Sequence, residues 1–260
     1  MIPSLFITHG TPMLAVEDTT YSRYLEELGR TLPRPQAIIL FSAHWESDVQ
    51  MISEIDEYSM MYDFGGFLNE LYQVIYPAKG SKEVSLQVQE LLNAAGIANR
   101  TERERGLDHG SWTILKRMYP DADIPLIAMS VNPSLTPAEQ YAIGKALAPL
   151  REQDVLIIGS GVTVHNFGLL RVKDKSAVKS LVLGFEKWLE NHMKQWDLDS
   201  LFRYEELAPN AKIAVPPQAK EHFIPVFYTM GAANQNEFTK TLFQGLVMDV
   251  IMNSVYQYGE

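Results

Sequence analysis

Short apolar runs separated by stretches of helical periodicity restrict this chain to a sheet covered by helices. Ala37-Ile38-Ile39-Leu40-Phe41, the run Ile124 to Val131, and Val155-Leu156-Ile157-Ile158 are nearly unbroken apolar segments of strand length. That is the pattern of strands buried on both faces. Between them, Thr20 to Gly29 carries Tyr21, Tyr24, Leu25 and Leu28 at helical spacing, with Gly29 as its stop. Ser81 to Ala95 places Val84, Val88, Leu91, Leu92 and Ala95 on one side, and Ser176 to Trp196 does the same with Leu181, Phe185, Trp188, Leu189 and Met193. Thr136-Pro137-Ala138-Glu139 combines a capping box with proline at the first helical position, opening a helix to about Leu150. This alternation predicts an α/β fold, a single three-layer α/β/α domain over residues 1–260 with a central mixed sheet.

The remaining segments fit that frame. Ser4 to Thr8 and Gln50 to Ile55 read as strands. Ser111 is placed to cap a helix carrying Ile114, Leu115 and Met118. His222 opens a segment with Phe223, Ile224, Phe227 and Met230 at helical spacing, and Pro225 there requires the helix to start close by. Leu246 to Tyr256 alternates as one strand returning to a sheet edge.

Composition narrows the chemistry. There is no cysteine, so disulfides and thiolate ligands are excluded. A net charge of −10 argues against a nucleic-acid or anionic-membrane binder. No apolar stretch is long enough to span a bilayer, and Met1-Ile2-Pro3-Ser4-Leu5 lacks the basic flank of a signal peptide. A soluble cytoplasmic protein is the expectation.

Five of the six histidines stand at element ends: His9, His44, His109, His165 and His222. His44 follows a buried strand, where open α/β sheets place their ligands. The five are dozens of residues apart, so only folding can gather them. Their shared position at element ends predicts one metal site at the strand ends, built from imidazole, carboxylate and water. His192 lies on the flank of a long helix and reads as an ordinary edge histidine.

Six short segments carry a resemblance. They are Thr8-His9-Gly10-Thr11-Pro12-Met13, Ser42-Ala43-His44-Trp45, Asp63-Phe64-Gly65-Gly66-Phe67, Gly106-Leu107-Asp108-His109-Gly110-Ser111-Trp112, Gly159-Ser160-Gly161 with Val164-His165-Asn166, and Glu221-His222-Phe223-Ile224-Pro225. In this order they resemble the class III extradiol ring-cleaving dioxygenases, and within them the 4,5-DOPA dioxygenase branch. The resemblance covers nearly the whole chain.

It implies a non-haem divalent metal, Fe(II) for dioxygenase activity, with Zn(II) as the bound metal in some bacterial members. It also implies a small catecholic substrate, bound through both oxygens, and dioxygen as the second substrate. His9, His44 and His222 match the metal positions. His165 matches the histidine that moves protons beside the metal, and it is the candidate fourth ligand of a resting zinc form. His109 matches a histidine facing the substrate. More distant members complete two histidines with a glutamate. Here Glu221 precedes His222; adjacent residues on one element diverge too far for both to bind easily, and the resemblance to the DOPA branch selects His222.

The other polar residues have two readings each. Asp108 is either a turn-capping aspartate or an orienter of a histidine. Trp45 and Phe64 either wall a ring site or pack in core or rim. Ser42, Ser111 and Ser160 read as turn and cap residues rather than nucleophiles, since Gly159-Ser160-Gly161 lacks the spacing of a nucleophile elbow. Two other functions stay open on the same histidines: a zinc hydrolase with His165 as base, and a non-catalytic metal-binding protein. Monomer and homodimer are both compatible with the resemblance.

Overall fold

The computed structural model describes residues 1–233 and 238–260. Among these, eight strands form one mixed sheet in the order β4-β3-β5-β2-β6-β1-β8-β7. The strands are β1 (Ser4–Thr8), β2 (Ala37–Glu46), β3 (Gln50–Ser53), β4 (Asn99–Glu102), β5 (Leu126–Val131), β6 (Val155–Gly161), β7 (Thr239–Val247) and β8 (Ile251–Tyr258). β5, β2, β6 and β1 run parallel at the centre, while β3 and β8 pair antiparallel to either side of them.

The helices are α1 (Thr20–Thr31), α2 (Lys82–Ala94), α3 (His109–Met118), α4 (Pro137–Leu147), α5 (Lys175–Lys194), α6 (Leu198–Phe202), α7 (Tyr204–Leu207), α8 (Ala211–Ala214) and α9 (Pro225–Gly231). Strand alternation divides the interior into two cores. Ile39, Phe41, Ile127, Met129 and Ile157 point to one face, where α2, α4, α5 and α9 pack. Ile38, Leu40, Leu126, Leu156 and Ile158 point to the other, where α1 and α3 pack. This is the three-layer α/β/α architecture that the sequence pattern predicts. No helix among the described residues is long and apolar enough to cross a membrane.

Several local readings change. α1 runs through Gly29 to Thr31, because that glycine lets a neighbouring helix approach rather than stopping its own. A Cβ there would lie 2.0 Å from the Met118 carbonyl oxygen of α3. α3 begins at His109, and its cap is Asp108, which accepts from the Ser111 amide; Ser111 lies inside the helix. The stretch read as one strand from Leu246 is cut by a turn. Met248 and Asp249 both adopt left-handed backbone, Val250 donates to the Val247 carbonyl, and β7 and β8 form a hairpin. β7 is therefore the edge, and β8 lies inside it.

One carboxyl is deeply buried outside the histidine cluster. Glu186 of α5 accepts hydrogen bonds from the hydroxyls of Thr163, Tyr256 (2.6 Å) and Ser254 (3.3 Å). Burial pushes its pKa up to about 7 against these bonds.

Candidate metal centre

β6 separates β1 from β2, and the parallel strands end on one side of the sheet. Open sheets bind ligands beyond such carboxyl ends. His9 follows β1, and its amide donates to the Gly161 carbonyl at the end of β6. His44 sits near the end of β2, past an irregularity in the pairing with β5. His109 is the first residue of α3, and His165 follows β6. His222 precedes α9, and its carbonyl accepts from the Val162 amide. That approach requires Gly161, where a Cβ would fall 2.1 Å from the same carbonyl oxygen.

The five rings make a continuous cluster. Centroids lie 4.9 Å apart for His9 and His44, 5.2 Å for His9 and His222, 4.1 Å for His44 and His109, and 3.6 Å for His165 and His222. Ligand atoms of His9, His44 and His222 all lie within 4.8 Å of one another. His165 is not in that set; it groups with Glu221 and His222 instead. His192 stays apart, bonded to Asp197 and packed on Trp188.

The outward nitrogens settle which atoms are free. Ser160 donates its hydroxyl to the Gly110 carbonyl (2.5 Å), so it can only accept from His9 Nδ1, 2.9 Å away. His222 Nδ1 lies 2.7 Å from Glu221 Oε1, and His44 Nδ1 lies 3.2 Å from Asp63 Oδ2. Each Nδ1 therefore carries the proton and each Nε2 keeps its lone pair. His44 Nε2 lies 3.2 Å from His9 Nε2 and 3.3 Å from His222 Nε2. Facing lone pairs repel unless a cation lies between them. A tetrahedral ion with metal–nitrogen bonds of about 2.0–2.1 Å spaces its donors by roughly 3.3–3.4 Å. The residues present fit a small divalent ion.

The electrostatics match. Burial, followed by the neighbouring histidines, holds His9 well below the ordinary imidazole range. Burial also lowers His222, against the opposing pull of Glu221, and lowers His165 to about 3. Burial would raise Asp63, but hydrogen bonds from His109 and His44 bring it far below the usual carboxylate range. His9, His165 and His222 are thus held neutral beside the ionised carboxylates of Asp63 and Glu221, the form that binds metal.

Around it, Asp108 caps α3 and bonds Ser42, Ser111 and Arg105, so its capping role is the one observed. Ser42 and Ser160 lie in strands rather than turns. Trp45 is buried beneath the Arg105 guanidinium, 4.7 Å from its ring centroid. Phe64 meets His109 edge-on at 5.6 Å, and Phe167, 55% exposed, meets His165 at 4.8 Å. The sequence does not assign the supporting roles of Asp63, Glu221 and Ser160: Glu221 and Ser160 stand in histidine-bearing segments, whereas Asp63 stands in a segment with no histidine.

Comparison with known proteins agrees with this architecture. The family model described as the catalytic LigB subunit of aromatic ring-opening dioxygenase matches residues 3–254. The 4,5-DOPA dioxygenase extradiol of Beta vulgaris is 41% identical, covering 90% of this chain and 87% of its own length. That of Escherichia coli K12 is 33% identical, covering 99% and 95%. A crystal structure of an uncharacterized Escherichia coli K12 protein superposes with a TM-score of 0.76 at 31% identity, over 100% of both chains. The chain belongs to the LigB family of aromatic ring-opening dioxygenases and is an enzyme of the non-haem extradiol class.

Proposed function

We propose that this enzyme uses Fe(II), held by His9, His44 and His222, to open the ring of a small DOPA-like catechol with dioxygen. One observation carries the reading: the Nε2 atoms of His9 and His222 lie 3.2 and 3.3 Å from His44 Nε2, all three ligand atoms fall within 4.8 Å of one another, and every opposite ring nitrogen is occupied. The iron would supply a Lewis-acid seat for the catechol oxygens and the redox chemistry that zinc lacks. The relatives named 4,5-DOPA dioxygenase extradiol support an aromatic diol as substrate.

The protein's own groups do the rest. His165 is half-buried and neutral, stacked on His222 at the edge of the cluster. It takes a proton from the catechol and returns one as the ring opens. His109 hydrogen-bonds the bound diol or oxygen. Phe64 and Phe167 flank these two histidines and present apolar surface to an aromatic ring. Both atoms of dioxygen remain in the ring-opened semialdehyde.

The test is anaerobic loading with Fe(II), then DOPA and air. Oxygen uptake with a new visible absorbance supports the reading. No turnover over a panel of catechols overturns it.

A further inference from the structure

We infer that Asp63 is the positioning residue of the centre: one carboxylate that fixes the tautomers of both His44 and His109 and supplies charge to a ligand set that has none. The inference rests on the metal-site reading above for its second half only. Asp63 lies on the loop between β3 and α2, far in sequence from the histidines it meets. Its Oδ2 is 3.2 Å from His44 Nδ1. Its Oδ1 is 2.9 Å from His109 Nδ1 and accepts from the His109 backbone amide, also at 2.9 Å. The side chain is 20% exposed, and three N–H groups converge on its two oxygens.

The geometry has two consequences. An ionised carboxylate only accepts, so both imidazoles carry their proton on Nδ1. His44 Nε2 is thereby free for a cation, and His109 Nε2 offers a lone pair to a substrate hydroxyl instead of a proton. The two rings are also tied together, because turning either one breaks a bond to the same carboxylate.

The same carboxylate also bears on charge. Three neutral imidazoles leave a bound dication uncompensated. Asp63 behind His44 and Glu221 behind His222 place two negative charges one imidazole away. Carboxylate–imidazole–metal relays raise ligand basicity and hold ring orientation. Here they replace the carboxylate that a two-histidine, one-carboxylate set would bind directly.

The experiment uses the whole protein with zinc as a diamagnetic probe. Two-bond proton–nitrogen NMR of the imidazoles reports the tautomers, with and without zinc, and chelator competition reports zinc affinity. In the unaltered protein, His44 and His109 are expected in the Nδ1–H form. Asp63→Asn can accept at one oxygen only; it should weaken zinc about 10–100-fold and shift His109 or His44 toward the other tautomer. Asp63→Glu should recover part of the affinity. An Nε2–H His109 in the unaltered protein overturns the inference, as do unchanged affinity and tautomers in Asp63→Asn. If the unaltered protein binds no zinc or Fe(II), the metal reading fails instead, and the metal-free spectra still decide the role of Asp63.

Discussion

The imidazoles of His165 and His222 lie face to face, with centroids 3.6 Å apart and planes inclined by 14°. Stacked in this way, His165 lies outside the set that His9, His44 and His222 form, and it is not one of the proposed donors. His165→Ala should therefore keep its metal while kcat falls about 10²–10⁴-fold, the usual worth of a general acid–base group. Metal content and turnover measured on the same sample check this. Loss of metal together with activity would make His165 a fourth donor.

Replacing His9, His44 or His222 singly by alanine removes one of the three proposed donors. Each variant should bind Fe(II) or Zn(II) more weakly than the roughly 10–100-fold loss that follows removal of a supporting hydrogen bond. Chelator competition reads the difference. Equal affinity in His44→Ala and the unaltered protein would move the metal elsewhere.

Gly161→Ala tests the seat of the His222 segment. The added Cβ meets the His222 carbonyl oxygen at 2.1 Å, and that atom is already bonded to Val162. The expected cost is about 1–3 kcal/mol of stability, as for other overpacked sites, with weakened metal binding. Denaturant unfolding and metal titration measure the two effects separately.

Glu186 makes stability depend on pH. Its carboxyl is raised from 4.5 to about 7 in the fold, so the folded state holds a proton that the unfolded state releases earlier. The stabilisation is complete below pH 4.5 and is lost as pH rises through 7, about 3 kcal/mol in all at 1.36 kcal/mol per unit. Glu186→Gln should flatten the stability profile between those limits. Denaturant midpoints taken across the range decide it, and an unchanged slope would reject the assignment.

Much of the fold was legible because its central strands are apolar on both faces. Ile38 and Ile39 each meet a core, one on either side of the sheet, and such a run has few other homes. β4 is not legible in the sequence because Asn99-Arg100-Thr101-Glu102 is an edge strand with no apolar residue. Nor is the β7–β8 turn, because Met248 adopts a left-handed backbone that its residue type does not announce. At the centre, histidines stand out by type and by position at element ends. Asp63 and Ser160 do not: a loop aspartate looks like a turn former, and a serine between glycines looks like a turn. Their partners arrive only through the tertiary fold.

The proposed donors of the cluster, His9, His44 and His222, lie far apart in the sequence, with Val162 holding the last of these through its amide. A nascent polypeptide that has completed only β1 and β2 carries two of the three and nothing to close the ring. With the proposed ligand set, capture of an ion would be a late event in biogenesis, and tight binding would serve as a readout that His9 and His222 have met.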